Sequence, residues 1–240
     1  MTACLRATPY IANPFIPHAM DNSQLDNKAN FAITIGRQFG SGGRELGKML
    51  AERFGIDYYD KQLLARGAQK AGLSTELFER TDERMPNLMG SAVSFSMGYG
   101  QIPWYNGQAM MSDSIYNSIA DVINTLAETA PSVFVGRSAD FVLRESHVPH
   151  VNVFIHAPMS ERVARILRRN DKATEKEARN LAEKTDKLRA SYYNFYTDKR
   201  WGDSSGYDIT FDSSVLPLEA ICDIIALYIR RRFGIEPVRK

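Results

Sequence analysis

Of 240 residues only two are cysteine, Cys4 and Cys222, so no disulfide framework is implied. Both are expected to be reduced, with Cys222 filling core beside Ile221, Ile224 and Ile225. No apolar run is long enough to span a bilayer. The opening residues lack a basic start followed by an unbroken apolar stretch, which argues against a secretion signal. A cytoplasmic protein is expected. Histidines 18, 147, 150 and 156 show no metal-ligand spacing. The formal net charge of +2 is too small to make nucleic acid the expected partner, and the basic end "RRRFGIEPVRK" reads as a solvated helix terminus. One further absence is local: a glycine-rich loop near residue 40 lacks the lysine and the serine or threonine that such a loop usually carries.

What is present suits one domain. Hydrophobic residues make up 44% and charged residues 24%, enough for both a core and a polar surface. Residues 1–30 carry three prolines and no periodicity, and read as a loose leader, with Met20 an alternative translation start. Residues 31–235 form the domain and 236–240 a tail. Phe31–Ile35 reads as a buried strand ending at Gly36. Leu46, Met49, Leu50 and Phe54 recur at helical spacing up to Gly55. "IDYYD" is a short second strand, followed by a helix over Lys61 to Gly72, and Ser74 opens another. "SVFVGR", "VNVFIHAP" and "YDITFD" are three further strands. The apolar runs of the third and fourth suit strands covered on both faces of a parallel sheet. A helix striped by Ile115, Ile119, Val122, Ile123 and Leu126 precedes strand three. Helices from Ser160 to Asn170, from the capping pair Thr174 and Glu177, and over "LPLEAICDIIALYIRRRF" complete an α/β doubly wound sheet. The segment 82–112, rich in glycine, methionine and aromatics, reads as an insert that packs over a site or a partner, whether a second copy of the chain or another protein.

The loop "FGSGGRE" follows the first strand and opens a helix, a place where backbone N–H groups and the helix dipole favour an anion. In a frame spanning Gly40, Ser41, Gly42, Gly43, Arg44 and Glu45, Gly43 takes the lysine position and Glu45 the hydroxyl position. Arg44 is then the nearest cation able to reach a phosphate. A later frame ending in Gly47 and Lys48 starts the helix too late and turns Lys48 toward solvent. The dinucleotide fingerprint also fails, since its last glycine is Glu45.

Other cations stand at places that suit phosphate. Arg137 ends a central strand, where open α/β sheets bind ligands. Arg162, Arg165 and Arg169 share one face of the helix after strand four and, with Arg168, read as a lid over phosphates. Asp60 ends the second strand, where it either meets a ligand or caps the following helix. Asp186 and Arg189 are spaced as an ion pair. Lys199, Arg200, Trp201, Gly202 and Asp203 make a basic-aromatic turn, either a ligand contact or a helix end anchored by Trp201.

Several separated segments, "ITIGRQFGSGGRELGKMLAERFGIDYYDKQLL", "VFVGRSAD", "VFIHAPMSERVARI" and "YYNFYTDKRWGDSSGYDITFDSS", resemble the cytidylate kinase-like proteins, relatives of bacterial cytidylate kinases. The resemblance runs from about Phe31 to Phe233. It implies a P-loop NTPase-like three-layer α/β/α fold with a five-stranded parallel sheet, an acceptor-binding insert, and a lid with its following helix over about 160–203. It implies ATP with Mg2+ as donor and a nucleoside monophosphate, CMP or dCMP first, or another small molecule, as acceptor. Asp60, Arg66, Arg137, Asp186 and Arg189 match acceptor-binding positions. The aspartate that should follow Arg137 is Ser138, with Asp140 close by, and an arginine one turn before Asp186 is Ala182. Arg44 is expected to replace the lysine and Glu45 to reach Mg2+. The alternative is a nucleotide-binding regulatory protein without phosphoryl transfer, its partner surface being the 82–112 insert.

Overall fold

The computed structural model describes residues 30–60 and 105–238. The leader, the helix expected over residues 61–72, Ser74, Arg66 and residues 82–104 of the insert lie outside the described residues. Five strands form one sheet: β1 (Ala32–Arg37), β2 (Asp57–Tyr59), β3 (Ser132–Val135), β4 (His150–His156) and β5 (Ile209–Asp212). Their order is β2-β3-β1-β4-β5, and every pairing is parallel. The helices are α1 (Gly43–Phe54), α2 (Tyr105–Thr129), a short α3 (Ala139–Val142), α4 (Met159–Arg168), α5 (Glu175–Tyr196) and α6 (Leu218–Phe233). The last eight residues of the expected insert, 105–112, are the first turns of α2.

Alternation along each strand divides the apolar residues between two layers. Ile33, Ile35, Val133, Val135, Val153 and Ile155 pack with Leu46, Leu50 and Phe54 of α1 and with Ile221, Ile225 and Ile229 of α6. Ala32 and Phe134 face the other way, onto Ile119, Val122, Ile123 and Leu126 of α2. A smaller cluster joins Val163 and Ile166 of α4 to Ala178 and Ala182 of α5. Cys222 lies buried in the first layer, as expected.

Local signals end these elements where chemistry requires it. Gly55 closes α1 at φ 63°. Thr174 and Glu177 complete a reciprocal capping box at the start of α5. The third strand is shorter than "SVFVGR", because the chain turns left-handed at Gly136 and Arg137 and leaves the sheet after Val135. Beyond β1 the chain turns back toward β2, and beyond β4 it moves out toward β5. The loops after these two neighbouring strands therefore diverge at the carboxyl edge, where doubly wound sheets leave a crevice. Ile225 is 0% exposed and Leu227 51% exposed on the same helix. Ile225→Ala should cost about 2–5 kcal/mol in urea unfolding, and Leu227→Ala less than about 0.5 kcal/mol.

Candidate active site

The glycine loop runs from Gln38 to Gly42 between β1 and α1. Gly40 and Gly42 have φ of 82° and 87°, a region costly for other residues. Crowding adds a second reason for glycine. A Cβ on Gly40 would stand 2.8 Å from the Arg162 carbonyl oxygen, and one on Gly42 2.6 Å from Arg165 Nη1. Ser41 is fully buried and turned inward. Its hydroxyl lies 2.9 Å from the Gln38 carbonyl and 3.0 Å from that of Ile155, while its own carbonyl accepts from Ser213 Oγ at 2.6 Å. Of Ser41, only the backbone N–H is left to face a ligand, and that too turns toward Gln38 O at 3.3 Å.

The loop is gripped from α4 and α5. Asp186 Oδ1 accepts the Phe39 N–H at 2.7 Å, and Oδ2 accepts from Arg162 Nη1 at 2.5 Å. Arg162 also reaches the Phe39 carbonyl at 3.3 Å. The Arg162 side chain is only 7% exposed, so the first expected lid arginine is a buried strut. Burial raises the Asp186 pKa, opposed by the Phe39 amide and by Arg162. Arg165 donates to Gly40 O at 3.3 Å and lies across the loop. Arg169 pairs with Asp171 at 2.5 Å, stands 3.8 Å from Glu45, and covers the Phe39 ring at 5.7 Å.

Gly42 is the N-cap of α1, so Gly43, Arg44 and Glu45 are its first three residues. Gly43, at the lysine position of the frame read from the sequence, opens the helix, and Glu45, at the hydroxyl position, stands two residues further on. Arg44 is held by Asp60, which is buried, through Nε at 2.8 Å and Nη2 at 2.5 Å. That bond raises the Arg44 pKa.

Across the crevice, Gly136, Arg137 and Ser138 have φ of 82°, 61° and 53°. Two consecutive non-glycine residues in this region cost roughly 1–3 kcal/mol each, a strain that clusters at functional sites. The Ser138 hydroxyl and the Tyr192 hydroxyl are both buried without a hydrogen bond among the described residues. The field of Arg137 reaches the Tyr192 phenol and opposes the pKa rise that burial causes. Asp140 is buried and accepts from Tyr193 at 2.7 Å, its pKa raised chiefly by burial. Trp201 packs edge-on against Phe154 at 5.4 Å, which is the anchoring role for that turn.

One residue escaped the sequence reading. Arg37, the last residue of β1, projects beneath the loop to Gly136, where an added Cβ would stand 2.9 Å from the guanidinium carbon. Burial first, then Arg189 and Arg137, push its pKa down to about 9. Arg189 Nη1 donates to the Arg37 carbonyl at 3.0 Å and stands 3.8 Å from Asp186. The available signal was positional: a charge closing an apolar strand, as Arg137 follows one.

Comparison with known proteins matches residues 32–215 to the model of the cytidylate kinase-like family. The chain belongs to this family. An uncharacterized protein from Eubacterium ventriosum ATCC 27560 has a similar crystal structure, with 28% identity and a TM-score of 0.62, covering 84% of this chain and 99% of that one. A gluconokinase from Sinorhizobium meliloti 1021 is 15% identical with a TM-score of 0.45, covering 85% and 94%. A shikimate kinase from Acinetobacter baumannii, in complex with shikimate, is 14% identical with a TM-score of 0.46, covering 86% and 97%. No curated protein matches the chain.

In this cytidylate kinase-like chain, no helix among the described residues is long and apolar enough to cross a membrane. Nor do the described residues hold a group of three or more His, Cys, Asp or Glu able to cage a metal. A nucleotide-bound Mg2+ needs less, because one or two carboxylates, phosphate oxygens and water hold it. Asp186→Ala should leave Arg162 buried without its carboxylate. The expected loss is about 3–5 kcal/mol, read by urea unfolding of the variant beside the parent protein.

Proposed function

We propose that the chain is an ATP-dependent phosphotransferase whose acceptor carries a phosphate, with CMP or dCMP the first candidates. The observation that carries this reading is the pairing of a glycine loop at a helix start with Arg37 and Arg137 at the ends of adjacent strands β1 and β3. Family membership supports it. In this scheme the N–H groups of Gly42, Gly43 and Arg44 face the donor phosphates, and Arg165 lies over them. Arg137 and Arg189 hold the acceptor, with Arg66 in the same role from outside the described residues. Glu45, in the first turn of α1, would hold Mg2+ directly or through water. When bound, Mg2+ supplies positive charge to the phosphate oxygens.

A phosphate acceptor suits the local chemistry. An alcohol needs a base to take its proton, whereas a phosphate dianion presents an oxygen already ionised. Asp60, the carboxylate ending β2, is engaged by Arg44. In the transfer, the bond from the terminal phosphorus to the bridging oxygen of ADP breaks, and a bond to the acceptor oxygen forms. The chain's own contribution is alignment and cationic stabilisation of the equatorial oxygens. Arg162 and Asp186 act as positioning residues, since they hold Phe39 and hence the loop.

The second reading, a nucleotide-binding regulatory protein, draws on the same ion pairs. Arg44 and Glu45, the two residues that would replace the lysine and hydroxyl, are already engaged by Asp60 and Arg169. Phosphorus NMR of the protein with ATP, Mg2+ and a panel of monophosphates and small hydroxyl compounds separates the two. The transferase reading expects ADP and one new phosphorylated product, with Arg137→Ala lowering kcat/KM roughly 100-fold or more while the fold persists. Bound ATP with no product across the panel would favour the regulatory reading.

A further inference from the structure

The loop's own cation, Arg44, is turned to Asp60. Arg37 enters the neighbouring space from the strand side. Its Cβ and Cγ lie 2.6 Å and 3.0 Å from where a Cβ on Gly43 would stand, and its guanidinium lies against Gly136. The side chain thus spans from the first residue of α1 to the carboxyl end of β3. Among the described residues its guanidinium makes no hydrogen bond and no ion pair. Arg189 and Arg137 are the cations near it, and their effect is opposed by Tyr58 and by the carboxylate of Asp60. The nearby carboxylates are already in use: Asp60 binds Arg44, and Asp186 serves Arg162 and Arg189.

A half-buried guanidinium with no ion pair of its own among the described residues, close to Arg189 and Arg137, is a place where an anion lowers the electrostatic free energy. Glycine at 136 is what leaves room for it, and the left-handed turn that follows brings Arg137 to the same edge. A planar fork of N–H donors facing a crevice matches a phosphate group better than a single halide-sized ion.

Resting on the phosphate-handling role proposed above, we infer that Arg37 does the work of the missing loop lysine by binding, with Arg189 and Arg137 beside it, a phosphate dianion between the start of α1 and the end of β3. That dianion is either the terminal phosphate of the donor or the phosphate of the acceptor. Both present the same chemistry to the guanidinium.

The test is thermal melting of the full chain and of Arg37→Met and Arg37→Lys, without ligand and with Mg·ATP, Mg·ADP or CMP. Without ligand, Arg37→Met should melt at or above the parent temperature, because it removes a charge that lacks a counter-ion. Loss of the ATP-induced rise with the ADP rise retained assigns Arg37 to the donor's terminal phosphate. Loss of the CMP-induced rise with the ATP rise retained assigns it to the acceptor. In either case apparent affinity should fall roughly ten- to hundredfold, and Arg37→Lys should recover part of it. The inference is overturned if Arg37→Met keeps the parent rises with all three ligands, or if none of the three stabilises the parent protein. It is also overturned if both variants unfold without ligand, which would make Arg37 a structural cation. Binding alone is scored, so an absence of turnover would count against the transferase reading and leave this result standing.

Discussion

Asp186 sits on α5, far along the chain from the glycine loop, yet one of its oxygens holds the Phe39 amide while the other holds Arg162 of α4. Through that double grip two helices and the loop after β1 become one rigid edge. Gly40 and Gly42 hold left-handed dihedrals there, and the Arg162 backbone and the Arg165 guanidinium fill the space a Cβ would need. Ser41 and Ser213 tie the same loop to the end of β4 and to the segment after β5. Preorganisation of this kind matters because donors already aimed at a charge need no reorganisation when it arrives.

On the other side of the crevice the structure carries unfavourable features that the core must offset. Arg137 and Ser138 hold left-handed backbone, and half-buried Arg37 stands close to Arg189 and Arg137. These features cost folding free energy, and an anion would relieve the electrostatic part of that cost. The two sides divide the labour: Arg162, paired with Asp186, positions the loop, whereas the Arg37 guanidinium reaches across to Gly136. Basic residues that look alike in sequence, Arg37 and Arg162, thus have opposite roles.

Fold class was legible because the strand runs are nearly continuous and the helix stripes regular. The sheet, the α1 stop at Gly55 and the Thr174 capping box all follow from local signals. The end of β3 was misjudged because positive φ at a non-glycine residue such as Arg137 leaves no compositional trace. Arg162 reads in sequence as a lid residue over phosphates because its partner is 24 positions away, beyond any helical spacing. Gly43 and Glu45 stand out in sequence as the loop's departures and Arg44 as the nearest cation, but the engagement of Arg44 by Asp60 and of Glu45 by Arg169 is a tertiary fact. Arg37 carries the same sequence signal as Arg137, a charge at a strand's carboxyl end, but its reach to Gly136 is set by the tertiary fold.

The central claim is that this edge of the sheet is a site for nucleotide phosphates despite its lysine-free loop. Calorimetric titration of the full chain with Mg·ATP at two salt concentrations tests it most directly. The account predicts one ATP per chain, with affinity falling as salt screens the arginines. Absence of binding at low salt, or binding unchanged by salt, would contradict it.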